Sequence, residues 1–218
     1  MNNKCIEILE KINSESGLEK IEEWVENDAG SSNRNYFMCK KEGDLKLQQV
    51  PGEYSKVLIE SLKISPKSYL EIGIGNGGSW LTFSYLNKNS LEISHSVDNL
   101  SYYQAIGQKE DEINFIKDYL SHSIDDVKFY NLASDDFFLV CENKYDIIFI
   151  DGDHSYEGVK KDYMNSLKII KEGGLMIFHD INSLGAPGVV KFWNEYKNNH
   201  KNMEFVHSNT CGMGIFYF

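Results

Sequence analysis

The sequence predicts an α/β protein built on a doubly wound, seven-stranded, mostly parallel sheet. Three observations predict it. From residue 68 onward, short apolar runs alternate with segments of helical period, the rhythm of β–α units stacked into a parallel sheet. The first run, Ser68-Tyr-Leu-Glu71-Ile, ends beside a carboxylate and breaks into Gly73-Ile-Gly75-Asn76-Gly77-Gly78. The last two runs, near 203–207 and 212–218, are joined only by His207-Ser-Asn-Thr210-Cys211, which suits an antiparallel hairpin at a sheet edge.

Residues 1–65 read as a helical extension over the mouth of the site, not as an independent domain, and 66–218 as the main domain. Over 3–28, Ile6, Ile8, Leu9, Ile12, Leu18, Ile21, Trp24 and Val25 fall at helical spacing, with a break near 13–17. Gly30-Ser-Ser-Asn-Arg-Asn35 reads as a loop. Residues 36–47 are ambiguous, Gln48 and Gln49 read as surface glutamines first and as contacts to a bound cofactor second, and 53–62 reads as a helix entered after Pro51-Gly52. Strands are then expected near 68–74, 92–97, 127–131, 145–150, 174–179, 203–207 and 212–218. Helices are expected near 79–87, 109–121, 134–141, 156–172 and 186–199. Gly185-Ala-Pro187-Gly188 should form a tight loop before the last helix.

The chain has 218 residues, 41% of them hydrophobic, which suits one domain with a large core. A net charge of −11 argues against a general nucleic-acid binder. No run approaches a membrane span, and Met1-Asn-Asn-Lys-Cys-Ile-Glu lacks an apolar signal core, so a cytoplasmic protein is expected. Cys5, Cys39, Cys141 and Cys211 are scattered without a C-x-x-C pair. They read as free thiols in a reducing compartment, and their spacing gives no zinc site.

Gly73, Gly75 and Gly78 match the G-x-G-x-x-G fingerprint, and Asp98 follows Gly78 by 20 residues at the end of the next apolar run. Such a turn lets a nucleotide-like ligand approach the backbone, and an acid there can accept bonds from ribose hydroxyls. Nicotinamide dehydrogenases and S-adenosylmethionine (SAM) methyltransferases share this layout. Glu71, two residues before the first glycine, separates them. A pyrophosphate gains nothing from a negative charge there, whereas the cationic methionine end of SAM does.

A second constellation lies in Tyr145-Asp-Ile-Ile-Phe-Ile-Asp151-Gly-Asp153-His154-Ser-Tyr156 and Gly173-Gly-Leu-Met-Ile-Phe-His179-Asp180-Ile. Both are buried strands ending in acids and a histidine at the carboxyl edge, where ligands bind in such sheets. Asp151 and Asp180 should therefore meet in space although 29 residues apart. Two converging carboxylates repel, and a divalent cation is the simple compensation. The alternative is that Asp153 or Ser155 caps the following helix and the other acid is solvated. His154, on the loop entering that helix, suits a general base. His95, His122, His200 and His207 have no such context. Tyr102, Tyr103, Phe137 and Phe138 are candidates for a homo-oligomer interface, a substrate pocket or the core.

With these motifs the chain resembles class I SAM-dependent O-methyltransferases over about residues 48–218, and the resemblance implies a Rossmann-like fold. Glu71-Ile-Gly73-Ile-Gly75-Asn76-Gly77 resembles the SAM glycine loop, Asp98 the ribose-binding acid, and Ala133-Ser134-Asp135 the segment that flanks adenine in catechol-type enzymes. The likeness extends to the metal-dependent branch that includes macrolide-sugar O-methyltransferases and cephalosporin-hydroxylase-like proteins. It implies Asp151 as a metal ligand beside the cofactor, His154 as base, and Asp180 as the second acid. The chain departs from that branch at His179, where the macrolide-sugar enzymes carry glutamate. As a ligand, His179 would favour metals softer than magnesium; pointing into the core, it would leave Asp153 or water to complete the shell, and the expected metal is magnesium or manganese. The implied acceptor is a hydroxyl on a sugar or another polar small molecule, with no nucleic acid or membrane involved. Three rivals remain: a nicotinamide-dependent oxidoreductase, a non-catalytic SAM-binding module, and a metal-dependent hydroxylase on the same scaffold.

Overall fold

The computed structural model describes residues 49–75, 77–101, 110–206 and 211–218. The helix expected over 3–28, together with Gln48, Asn76, Tyr102, Tyr103 and His207, lies outside them. The described part of the N-terminal region is α1, Pro51–Lys63. Proline opens it because the first helical turn has no use for that N–H.

After α1 come β1 (Ser68–Ile72), α2 (Gly78–Leu86), β2 (Ile93–Val97), α3 (Glu110–Ser121), β3 (Asp126–Tyr130), α4 (Ser134–Val140) and β4 (Tyr145–Ile150). The chain ends with α5 (Tyr156–Ser166), β5 (Ile170–His179), α6 (Pro187–Tyr196), β6 (Lys201–Phe205) and β7 (Met213–Tyr217). The sheet order is β3-β2-β1-β4-β5-β7-β6. Strands β1 to β5 pair in parallel, and β7 runs antiparallel to both β5 and β6. This is the seven-stranded Rossmann-like sheet with a C-terminal antiparallel hairpin that the sequence predicts. The chain leaves β1 toward β2 and later returns to β4 on its other side. The β1/β4 seam is thus the switch point, where a crevice opens at the carboxyl ends.

Every residue of β1 is buried and β4 is nearly so, as parallel strands covered on both faces must be. One core contains Tyr54, Val57 and Leu58 of α1, Trp80 and Phe83 of α2, and Ile113 and Ile116 of α3. The other contains Phe137 of α4, Val159 and Tyr163 of α5, and Phe192 and Trp193 of α6. Phe137 and Phe138 therefore belong to or against the core. Edge strand β6 is exposed and carries Lys201, Asn202 and Glu204, polar groups that discourage further pairing. Among the described residues, no helix is long and apolar enough to cross a membrane.

Element boundaries differ from expectation in three places. Gly73 at φ +89° turns the chain out of β1 after Ile72. The helix expected over 156–172 stops at Ser166, and Ile170 already pairs with Tyr145. Register then slips before Ile147 pairs with Leu175, and Gly173, at φ +77°, and Gly174 lie in the slip. The helix expected over 186–199 is α6 followed by a 3₁₀ turn, Lys197–Asn199.

Candidate active site

The carboxyl edge of the sheet borders a cavity of about 690 Å³. Its lining takes Gly73 and Gly75 from the loop after β1, Asp98 from just after β2, Ala133 and Ser134 from the start of α4, Asp151 to His154 from the loop after β4, and His179 and Asp180 from the end of β5. Asp162 of α5 completes the wall.

The glycine turn is built on left-handed backbone: φ is +89° at Gly73, +49° at Gly75 and +79° at Gly77. The Gly73 N–H donates to the Val97 carbonyl at 2.9 Å. Asp98 accepts the Ile74 N–H at 3.0 Å on one oxygen and the Leu100 N–H at 2.7 Å on the other. These bonds fix the carboxylate and leave lone pairs on both oxygens toward the cavity. Glu71 stands off the cavity. It is fully buried and accepts bonds from the Tyr69 hydroxyl at 2.5 Å and the Ser79 hydroxyl at 2.6 Å.

Asp151, His154, His179 and Asp180 converge. His179 Nδ1 lies 3.1 Å from Asp151 Oδ1 and 3.4 Å from Asp180 Oδ2. His154 Nε2 lies 3.6 Å from the same two oxygens. Burial works against the Asp151 carboxylate, yet His179 and His154 hold it down to about 2. Asp180 is also lowered: burial opposes its charge, and His179 overcomes that. Burial opposes the His179 imidazolium as well, and Asp151 raises it well above 6.5. His154 is raised above 6.5, first by the Asp151 carboxylate beside it.

Among the described residues, two groups of donor atoms lie within 4.8 Å of one another: Asp151, His154 and Asp180, all of which line the cavity, and His179, Asp180 and Cys211. Asp180 is a non-glycine residue at φ +62°. Such strain persists where the surroundings over-determine it. Here the Ile181 and Asn182 N–H groups donate to the Gly212 and Cys211 carbonyls. The Gly212 N–H in turn donates to the buried Glu53 carboxylate of α1 at 2.9 Å. The cap of α5 is Ser155, whose hydroxyl accepts the Gly158 N–H, while Asp153 accepts the Ser155 N–H. Neither Asp151 nor Asp180 is used up as a cap.

Sequence reading missed three polar groups. Gln49 is not a surface glutamine: it is buried and donates to Asp151 Oδ2 at 3.0 Å. Glu53 is the second. Asp162 is the third, and its signal was an acid placed between Val159 and Tyr163 on the buried stripe of α5. Asp135, expected beside the cofactor, instead pairs with Lys161 and does not line the cavity. His95 and His200 serve the core, bonded to the Tyr145 and Tyr163 hydroxyls. Cys141 and Cys211 are free thiols.

Burial pushes the Asp162 carboxyl from 3.8 up to about 6, against the Ser134 hydroxyl, which favours the ionised form. The native state then holds this proton more tightly than the unfolded chain. The penalty is absent below pH 3.8, develops between there and about pH 6, and is complete above it. Asp162→Asn should therefore stabilise the protein by roughly 3 kcal/mol at pH 8 and by little near pH 4. Calorimetric melts at both values check this; equal effects at the two would refute it.

A methyltransferase domain model matches residues 70–181, just over half of the chain. The chain belongs to this methyltransferase domain family. The match runs from within β1 to the residue after Asp180, so it spans the glycine turn and both acidic strand ends. No curated protein sequence matches the chain. Among solved structures, the SAH-bound methyltransferase PaMTH1 from Podospora anserina aligns with a TM-score of 0.59 at 14% identity, covering 97% of this chain and 94% of that one. The O-methyltransferase from Bacillus cereus in complex with SAH aligns at 0.55 and 14% identity over 92% and 89%. The O-methyltransferase TomG from Streptomyces achromogenes, involved in tomaymycin synthesis and solved with SAM, aligns at 0.56 and 13% identity over 91% and 87%. At these identities the likeness is one of fold.

Proposed function

We propose that this methyltransferase moves the methyl group of SAM to a hydroxyl of a sugar or another polar small molecule. The observation that carries the reading is one shared cavity. The glycine turn and Asp98 occupy the wall at β1 and β2, and Asp151, His154 and Asp180 occupy it at β4 and β5. A donor bound along the first set would meet an acceptor placed at the second. The SAM and SAH complexes of the structural neighbours support the choice of cofactor.

The residues fit a divalent cation. Asp151 and Asp180 supply oxygens, and His179 Nδ1 is the nitrogen nearest to both. A mixed carboxylate and imidazole set suits manganese at least as well as magnesium. When bound, the cation would lower the pKa of an acceptor hydroxyl as a Lewis acid. His154, about half exposed at the cavity rim, takes the hydroxyl proton, and the imidazolium that results is stabilised by the Asp151 and Asp180 carboxylates, each 3.6 Å from Nε2. Gln49 holds the second oxygen of Asp151.

Calorimetric titration with S-adenosylhomocysteine, with and without manganese or magnesium and with NAD as control, tests the reading. Micromolar binding of the homocysteine product and none of NAD is expected. NAD binding alone would overturn the cofactor assignment in favour of an oxidoreductase. Manganese binding undiminished in an Asp151→Asn, Asp180→Asn double variant would remove the metal from the site.

A further inference from the structure

Cys211 has no part in the chemistry above, yet its sulfur belongs to a cluster of donor atoms. A nitrogen of His179, an oxygen of Asp180 and the Cys211 sulfur lie within 4.8 Å of one another. All three residues are buried, at 7%, 7% and 6% exposure. The sheet brings them together. Strand β7 pairs antiparallel with β5, with His179 opposite Met213. The contact runs on past the strand ends, where the Ile181 and Asn182 N–H groups donate to the Gly212 and Cys211 carbonyls at 3.2 and 2.7 Å. A Cβ at Gly212 would already stand 3.1 Å from Asn182 Cβ and Ile181 Cγ1, so the two segments are pressed together. Strand register delivers the thiol to the end of β5.

The His179 ring shows what the cluster lacks. Its Nδ1 faces Asp151 and Asp180 at 3.1 and 3.4 Å. Its Nε2 is buried and, among the described residues, has no hydrogen-bond partner. The Cys211 thiol neighbours the ring, but a thiol is a weak partner for a nitrogen. A buried ring nitrogen left unpaired costs free energy. A metal-bound histidine has this form: one nitrogen on the ion, the other N–H given to a carboxylate. Asp151 is that carboxylate here. The sulfur then decides the class of ion. Thiolate and imidazole suit zinc and cobalt(II), whereas magnesium and manganese are content with oxygen. Three protein ligands leave a fourth tetrahedral position open, and His179 and Asp180 both line the cavity.

We propose that His179 Nε2, Asp180 and Cys211 Sγ form a metal position of their own, for a thiophilic divalent ion of the zinc class. It lies beside the oxygen-rich position at Asp151, and Asp180 belongs to both. Binding sends the protons of the Cys211 thiol and of His179 Nε2 to solvent, because thiolate and a bare imidazole nitrogen are the ligands. Nδ1–H stays on Asp151.

Zinc outranks manganese at most sites of this kind, so a bare preference for zinc decides nothing; its dependence on Cys211 does. Zinc, cobalt(II) or manganese alone is titrated into the full chain as wild type, as Cys211→Ser and as Cys211→Ala. A fourth protein, Cys5→Ser, Cys39→Ser, Cys141→Ser, keeps Cys211 as its only thiol. Each is checked for a cooperative melt. Cobalt(II) should give a near-ultraviolet sulfur-to-metal charge-transfer band in wild type and in the chain that keeps Cys211 alone. Both Cys211 variants should lose the band. Their zinc affinity should fall by more than the ~10- to 100-fold typical of an outer partner. Their manganese affinity should stay within about threefold, because oxygen ligands carry that ion. No band in the chain that keeps Cys211 alone, or zinc affinity unchanged in Cys211→Ser, would overturn the proposal and leave the cation at Asp151 in place. Manganese and zinc lost together would merge the two positions into one and overturn it as well. The cobalt spectrum of the chain that keeps Cys211 needs no change at that residue, so it decides even where the Cys211 variants do not fold.

Discussion

An enzyme with His154 replaced by alanine should bind S-adenosylhomocysteine within about twofold of wild type and turn over a hydroxyl acceptor ~10²- to 10⁴-fold more slowly, the usual worth of a positioned base. The separation of effects follows from where His154 stands. Its side chain is 45% exposed at the cavity rim, so its loss opens no core. Its partners are the two carboxylates, at 3.6 Å each, not the glycine turn that would hold the donor. Asp151 keeps its bonds from Gln49 and His179 when the imidazole is gone, so the acidic pair should stay in place. Steady-state kinetics with calorimetry in parallel decides the matter. Turnover within threefold of wild type would end the assignment of His154 as base.

Gly73→Ala should have the largest effect on the fold. A Cβ there would stand 2.2 Å from the Asp151 carbonyl oxygen, 2.7 Å from its carbon and 2.8 Å from Gly152 Cα. All three are backbone atoms of the β4 loop and have no rotamer to escape into. The position also sits at φ +89°, which costs an L-residue roughly 1–2 kcal/mol, and overpacking adds roughly 1–3 kcal/mol. A loss of several kcal/mol is expected, with weaker binding of S-adenosylhomocysteine because the β1 and β4 loops are forced apart. Gly173→Ala is the control. It has a similar φ of +77° but nothing within 4 Å of the new carbon, so only the conformational cost should appear. Chemical denaturation of the two variants separates the terms; equal losses would mean that the contact with Asp151 does not matter.

The sheet was legible because its central strands are apolar on both faces and its breaks are glycines. The end of α5 was not, because Ile169 and Ile170 satisfy a helical stripe as well as the start of a strand, and only the pairing of Ile170 with Tyr145 decides between them. Residues at strand ends were placed well: Asp98, Asp151 and Asp180 all line the cavity. Glu71 shows the limit of motif reading. Strand parity puts it on the face of Tyr69, away from Ile72, and Ser79 at the start of α2 closes the pocket around it. Gln49 and Glu53 could not be found by spacing, and Asp162 only by its place on the buried stripe of α5. Each reaches the site from an element or segment whose approach is fixed only when the sheet is assembled. Asp135 was misplaced for the converse reason, since nothing local announces that Lys161, one turn into another helix, will claim it.

The position of β7 carries a consequence for how the enzyme comes into being. It follows every other strand in the chain, yet it lies inside the sheet between β5 and β6. The carbonyls that hold Asp180 in its left-handed conformation, those of Cys211 and Gly212, belong to the segment that leads into it. A chain emerging in order from the ribosome can zip β1 to β5 together early, but its acidic pair has no fixed geometry until β7 docks. The geometry of the acidic pair is thus acquired only with β7, and removal of the Cys211–Gly212 segment would leave Asp180 without the carbonyls that hold it.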